Sequence, residues 1–221
     1  MLAALLDLAV PRRCAGCACP GSLVCPSCRA ALAGQPVAHS PWPRPPGLPP
    51  LTAVAAYDGP VRALLIAHKE RGRLGLTPVL GAAVASAAAG HQPQVLVPVP
   101  SSAAARRARG FDHTLRLARA AAANLRDVGV VPLLAVRRAV ADSAGLSAAQ
   151  RSHNLTGAFA ADPRLLPLLQ GRRVVVVDDL VTTGASLVEA ARALGAAGIP
   201  VAGAAAVAAT LRSSPASHGA R

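Results

Sequence analysis

VVVVDDLVTTGASL, residues 174–187, is the stretch whose reading decides the fold. Four consecutive valines show no in-and-out alternation, so the strand they form is buried on both faces, as in the interior of a parallel sheet. Two carboxylates follow directly, Asp178 and Asp179, which puts them at the carboxyl end of the strands, where open α/β sheets bind ligands. Thr182, Thr183, Gly184, Ala185 and Ser186 make a turn of small residues that opens a helix. Backbone N–H groups, hydroxyls and the positive end of a helix dipole therefore converge there. Such a turn suits a phosphate, and carboxylates beside it suit vicinal hydroxyls; a sugar phosphate offers both. The plainer reading, a strand-to-helix turn with aspartate caps, leaves the coincidence of both acids with TTG unexplained. Neither G-x-x-x-x-G-K-[ST] nor a G-x-G-x-x-G after a strand is found, which sets aside the common nucleotide-binding turns.

Outward from this stretch, strands and helices alternate. Downstream, 184–197 reads as a helix stopped by Gly198, and 201–209 as a last strand. Upstream, 51–57 reads as a strand, and Asp58-Gly59-Pro60 starts a helix over 60–71. A second, alanine-rich helix follows Thr77, then an apolar run at 94–99, a helix at 111–125 and another apolar run at 130–136. That order implies a parallel sheet with helices on both faces. Residues 137–158 lack a firm period and read as a mobile loop with a helical turn. SPWPRPPGLPP, residues 40–50, can continue neither helix nor central strand and reads as a semi-rigid linker or strap. Residues 1–10 read as a short amphipathic helix, and 212–221 as a tail with nothing to bury. The apolar stretches at 79–89 and 199–209 are too short to cross a bilayer, so a cytoplasmic protein without membrane insertion is expected.

With 221 residues there is room for one domain and a small appendage. Hydrophobic residues are 52% and aromatics 2%, so the core must be built from Ala, Val and Leu, which argues against an all-β sandwich. The formal charge is +13, and Lys69 is the only lysine among 23 basic residues. Phosphate-bearing partners explain such a charge, and so does the codon usage of a GC-rich genome. With so few aromatics, any contact with single-stranded DNA is backbone-driven and salt-sensitive rather than stacked. Arg106 to Gly110, RRARG, reads either as a solvated helix start or as a phosphate contact. His68, His113 and His153 lack metal-ligand spacing and read as solvated or loop side chains, and Trp42 and Tyr57 as packing locally.

All five cysteines fall between Cys14 and Cys28. They cannot staple a chain of this length, and disulfides are unusual in the cytosol, so metal binding is the better account. Cys14-x-x-Cys17 and Cys25-x-x-Cys28 are two knuckles able to present four thiolates to one tetrahedral ion. Zinc is expected, and it is structural because four thiolates leave no open position; an iron–sulfur cluster and reduced thiols are the alternatives. Cys19 is left over and could take the place of Cys17.

VVVVDDLVTTGAS resembles the PRPP-binding signature of type I phosphoribosyltransferases, and the chain as a whole resembles the ComF family within them. Paired CxxC motifs, YDGPVRALLIAHKERGR, VPVPSSAAARRARGFDHT and GLSAAQRSHNLTGAF follow one another in ComF order. The resemblance implies a type I phosphoribosyltransferase fold, an α/β architecture with a central, mostly parallel sheet flanked by helices and a small N-terminal four-cysteine zinc module. The expected division is 1–40 for the helix and module, 41–50 for the linker, 51–211 for the phosphoribosyltransferase-like domain and 212–221 for the tail. The implied ligand is PRPP or ribose 5-phosphate, with Mg²⁺. Asp178 and Asp179 would contact the ribose hydroxyls, and Thr182, Thr183, Gly184, Ala185 and Ser186 the 5′-phosphate. Ser101, Ser102, Arg106, Arg107 and Arg109 would lie in the pyrophosphate loop, and 137–158 would close on substrate. An active protein would be a glycosyltransferase of the pentosyl class, although no general base is evident and the acceptor is unknown. The alternative is a non-enzymatic DNA-uptake factor handling single-stranded DNA beside a helicase or recombination mediator. Three positions depart from the pattern. Thr182 stands where purine-salvage relatives carry an acid, His68-Lys69-Glu70 replaces the usual aromatics, and Asp112 replaces the usual Asn after RGF.

Overall fold

The computed structural model describes residues 12–138 and 154–210. The helix expected at 1–10, residues 139–153 of the expected loop and the tail at 212–221 lie outside the described residues. The strands are β1 (Val37–Ala38), β2 (Leu51–Ala56), β3 (Val95–Pro98), β4 (Gly129–Val130), β5 (Leu134–Val136), β6 (Phe159–Ala161), β7 (Val174–Val181) and β8 (Val201–Ala209). The helices are α1 (Pro26–Ala30), α2 (Gly59–Lys69), α3 (Thr77–Ala89), α4 (Ala103–Arg109), α5 (His113–Ala122) and α6 (Ala185–Ala196).

Six strands form one sheet in the order β1-β2-β8-β7-β3-β4, in which β1 runs antiparallel to β2 and the other neighbours are parallel. β7 is an inner strand, as the unbroken valines require. Val175 and Val177 face a core shared with α2, α3, α5 and the cysteine segment. Val174 and Val176 face a second core shared with α6, Leu133 and Leu169. A mostly parallel sheet between two helical layers is the phosphoribosyltransferase architecture that the resemblance implies.

Three elements differ from the sequence expectation, each for a tertiary reason. First, β7 does not stop before the acids. β8 is long enough to pair Asp178 with Ala206 and Val181 with Ala209, so the ladder carries the strand through them. Second, the apolar run at 130–136 splits. β4 ends on the main sheet at Val130, while β5 leaves it to pair antiparallel with β6. Third, a helix that was not expected, α4, precedes the one expected at 111–125, which runs as α5 from His113 to Ala122. Gly110, in the left-handed region at φ 75°, ends α4. Asp112 then caps α5 by accepting from the Leu115 N–H at 3.1 Å.

Small residues set how closely the layers approach. β8 buries seven of its nine residues, five of them alanine, and α3 lays Ala83, Ala87 and Ala88 toward the core. Where α3 crosses α5, a Cβ on Gly81 would run into Ala120, whose carbonyl carbon lies 2.9 Å from that position. The core is close-packed by proximity of backbones rather than by large side chains.

Candidate functional site

Because β7 continues through them, the two acids meet different layers, although their carboxyls stay within reach of each other. Asp178 faces the α6 side and lines a cavity of about 230 Å³ with Leu155, Thr182, Thr183, Gly184, Ala185 and Ser186. Gly184, at φ 78°, supplies the left-handed step into α6. Its back is covered by the proline strap: a Cβ there would stand 3.0 Å from Leu48 and 3.5 Å from both Pro41 and Pro45. The strap, which carries neither helix nor strand over 41–50, thus forms the rear wall of the turn.

Asp179 is 3% exposed and faces α2 and α5. Lys69, the last residue of α2, brings Nζ to 3.2 Å from Oδ2 and 3.4 Å from Oδ1. His113, the first residue of α5, places Nε2 3.5 Å from the same Oδ2. Nδ1 of His113 lies 2.9 Å from Nη1 of Arg109 and 3.3 Å from Oγ of Ser101. A guanidinium can only donate, so Nδ1 accepts and Nε2–H is the donor to Asp179. A continuous polar chain therefore runs from the second acid to Ser101 and Arg109, two of the residues expected around pyrophosphate. Ser102 caps α4 by accepting from the Ala105 N–H at 3.1 Å, and Arg106 and Arg107 lie exposed on that helix. Arg106 reaches Asp112 at 4.0 Å.

The two carboxyls are driven apart in acidity. Burial pushes Asp178 well above the ordinary range, and the neighbouring charge of Asp179 adds to it. Burial also works to raise Asp179, but the His113 hydrogen bond and the Lys69 ammonium outweigh it and hold this carboxyl below the ordinary range. Burial opposes the charge on Lys69 as well, yet Asp179 and Asp178 keep its pKa raised.

The histidine expectation needs correcting: His68 is 1% exposed and His113 5% exposed. His68 bonds Thr77 Oγ1 at 3.0 Å, and its pKa is lowered to about 4 chiefly by burial, so it is a neutral tie between α2 and α3. Trp42 is 53% exposed rather than packed. Lys69 and His113 are the site residues that sequence reasoning missed. The one available signal was the replacement of aromatics by His68-Lys69-Glu70.

The loop over 137–158 returns to the described chain at Asn154. Just beyond it, Glu189 of α6, 3% exposed, accepts the Phe159 N–H at 2.9 Å and two bonds from Arg192 at 2.7 Å. Burial raises the Glu189 carboxyl, but these donors outweigh it and leave the pKa lowered. Its stabilisation is present above the unfolded glutamate pKa and drains away as pH falls through the folded one. Glu189→Gln is expected to cost about 1–2 kcal/mol near neutrality, discounted because Arg192 is solvent-accessible. That difference from wild type should shrink on acidification, measured by urea denaturation across pH.

At the N-terminal end, the sulfurs of Cys14, Cys17, Cys25 and Cys28 all lie within 4.8 Å of one another, and Cys19 is not one of this group. Cys14, Cys25 and Cys28 are buried. The Cys25 N–H donates to Cys14 Sγ at 3.3 Å, as knuckle amides do toward metal-bound thiolates. A Cβ on Gly16 would lie 2.8 Å from Cys28 Sγ and 3.4 Å from Leu64 Cγ, so the knuckle is pressed directly on α2. Four convergent thiols fit one tetrahedral ion and leave it no open position. Among the described residues, no helix is long and apolar enough to cross a membrane.

Comparison with known proteins agrees with this geometry. The phosphoribosyl transferase domain family matches residues 85–218. The chain is 32% identical over 194 residues to the DNA utilization protein YhgH of Escherichia coli K12, covering 80% of this chain and 82% of that protein. It is 31% identical over 184 residues to YhgH of Shigella flexneri, covering 77% of each.

Proposed function

Since the chain belongs to the ComF family within the type I phosphoribosyltransferase superfamily, we propose that it binds PRPP, or the simpler ribose 5-phosphate, across the carboxyl edge of its sheet. The observation that carries this reading is the cavity shared by Asp178 and the turn from Thr182 to Ser186. That turn would hold the 5′-phosphate, and Asp178 and Asp179 would take the ribose hydroxyls. Ser101, Ser102, Arg106, Arg107 and Arg109 would face the pyrophosphate, which would bring Mg²⁺ with it. Since the acids meet different layers, the sugar would straddle the strand end, with its 5′-phosphate on the α6 side and its 1-substituent on the α5 side. If the chain turns over, the C1–O bond breaks, its electron pair leaves with pyrophosphate, and an acceptor nucleophile bonds to C1. Arginines around the leaving group would stabilise that charge. The ion we propose for the four cysteines is zinc.

A second reading draws on the relatives' names: a DNA-handling role, with single-stranded DNA held by its backbone on the exposed arginines of α4. A helicase or recombination mediator would then be the protein partner. One experiment separates the two. PRPP is expected to raise the melting temperature of the wild type by several degrees at saturation and to leave Asp178→Asn unmoved. Asp178 is the residue to change because Asp179 also holds Lys69 and His113. Stabilisation surviving in Asp178→Asn overturns the site. Absence of PRPP stabilisation in the wild type, together with salt-sensitive oligonucleotide binding, favours the second reading.

A further inference from the structure

Twenty-two of the 23 basic residues in this chain are arginine; the exception, Lys69, has its ammonium on the second acid of the sheet edge. Arginine and lysine are not interchangeable there. A guanidinium is a planar fork that would pair side-on with the carboxylate and fill the space. An ammonium is a compact point charge that can serve one carboxylate and still turn N–H bonds toward another anion. Lys69 is placed to do this. Its Nζ contacts both oxygens of Asp179, yet the side chain is 33% exposed, whereas that of Asp179 is 5% exposed. Asp179 does not depend on Lys69 alone, because His113 reaches the same Oδ2 from the other side. The ammonium thus has a part of its surface that the buried carboxylate does not use. Arg109, the last residue of α4, is close enough for its positive charge to act on Lys69. The exposed part of the ammonium, on the side of Arg109, is a place for an anion.

From this placement we infer that Lys69 is the residue by which the site distinguishes a sugar phosphate that carries a second anionic group at C1 from one that does not. The inference rests on the reading that the 5′-phosphate binds at the turn from Thr182 to Ser186, on the α6 side of the strand end. A ligand holding only that phosphate meets the turn and, through its hydroxyls, the two acids, and brings no anion to the ammonium of Lys69. A ligand with a 1-pyrophosphate spans the strand end and puts its negative charge between Lys69 and Arg109. Asp179 and His113 hold the ammonium in position, and the cost of taking that charge partly out of water is met before the ligand arrives.

The test is a pair of calorimetric titrations, PRPP and ribose 5-phosphate, on wild type, Lys69→Met and Lys69→Arg. Methionine keeps the length of the stem and removes the charge. The expected result is a loss of about tenfold or more for PRPP in Lys69→Met, the usual worth of a charge-assisted contact. Ribose 5-phosphate should keep its wild-type affinity to within about twofold. Lys69→Arg, which restores charge with the wrong geometry, should recover only part of the PRPP affinity. Equal losses for the two ligands, or no loss for PRPP, overturn the role of Lys69 while leaving the phosphate turn standing. Failure of wild type to bind either ligand overturns the site itself. Should Lys69→Met fold poorly, the ratio of the two affinities in Lys69→Arg answers the same question: a ratio equal to that of wild type overturns the inference.

Discussion

Cys28→Ser is expected to release the metal and lower the melting temperature by about 10 °C or more. Cys28 is 1% exposed, and its sulfur lies between Gly16 and the remaining thiols, against α2. In a closed four-thiolate site the binding energy of the ion is also folding energy, so the loss of one ligand removes most of it. Residues 12–36 contain one short helix and an isolated antiparallel bridge between Arg13 and Pro20, too little to hold them without the ion. Their departure uncovers Leu64 and Leu65, which share the first core with Cys14, Val24 and Leu32. A loss of about 3–5 kcal/mol is therefore expected, several degrees per kcal/mol being lost at this chain length. Cys19→Ser, outside the thiol group, should keep its metal. Elemental analysis beside thermal denaturation reads both. Iron in the purified protein, or a full complement of zinc in Cys28→Ser, contradicts the assignment.

Gly81→Val is expected to be nearly as damaging, at about 3 kcal/mol. Replacing a helix-interior glycine ordinarily gains up to about 1 kcal/mol in propensity. Here the new side chain meets the backbone of Ala120, which cannot rotate away as a flexible side chain would. α3 cannot retreat either, because Ala83, Ala87 and Ala88 are already buried among the residues of the first core. Gly90→Ala, at the end of the same helix with nothing within 4 Å of its Cβ, is the matched control and should be neutral. Denaturant midpoints of the two variants decide the matter. Equal midpoints would mean that α3 and α5 can separate at their crossing without loss.

How legible the site was depends on the range of the interaction. The valines at 174–177 reveal an inner strand because burial on both faces is a local pattern, and the small-residue turn reveals α6 because its chemistry is contiguous. The CxxC spacing likewise declares a four-thiol group. The continuation of β7 past Asp178 was not legible, since it depends on the length of β8, more than twenty residues on. With it went the fact that the acids meet different layers. Lys69 meets Asp179 across 110 residues, and the burial of His113 depends on the break at Gly110 and the cap at Asp112, which turn the start of α5 in toward the sheet. Both are tertiary facts, and no periodicity records them.

The strand order has a consequence for how the chain is made. β2, which leaves the ribosome well before β8, has β1 on one side, and on the other it pairs only with β8, Leu51 lying beside Ala204. Every element between the two strands must be synthesised before that seam can close. Until then the nascent chain carries a bare apolar strand edge, and contacts of such long range are slow to form. The cysteine knuckle and α2 are neighbours in sequence and can assemble early, so the ion would hold this earlier segment in shape while it waits for β8. Chains stalled or clipped before residue 201 should therefore be handed to chaperones or aggregate, even though every residue of the phosphate turn is already present in them.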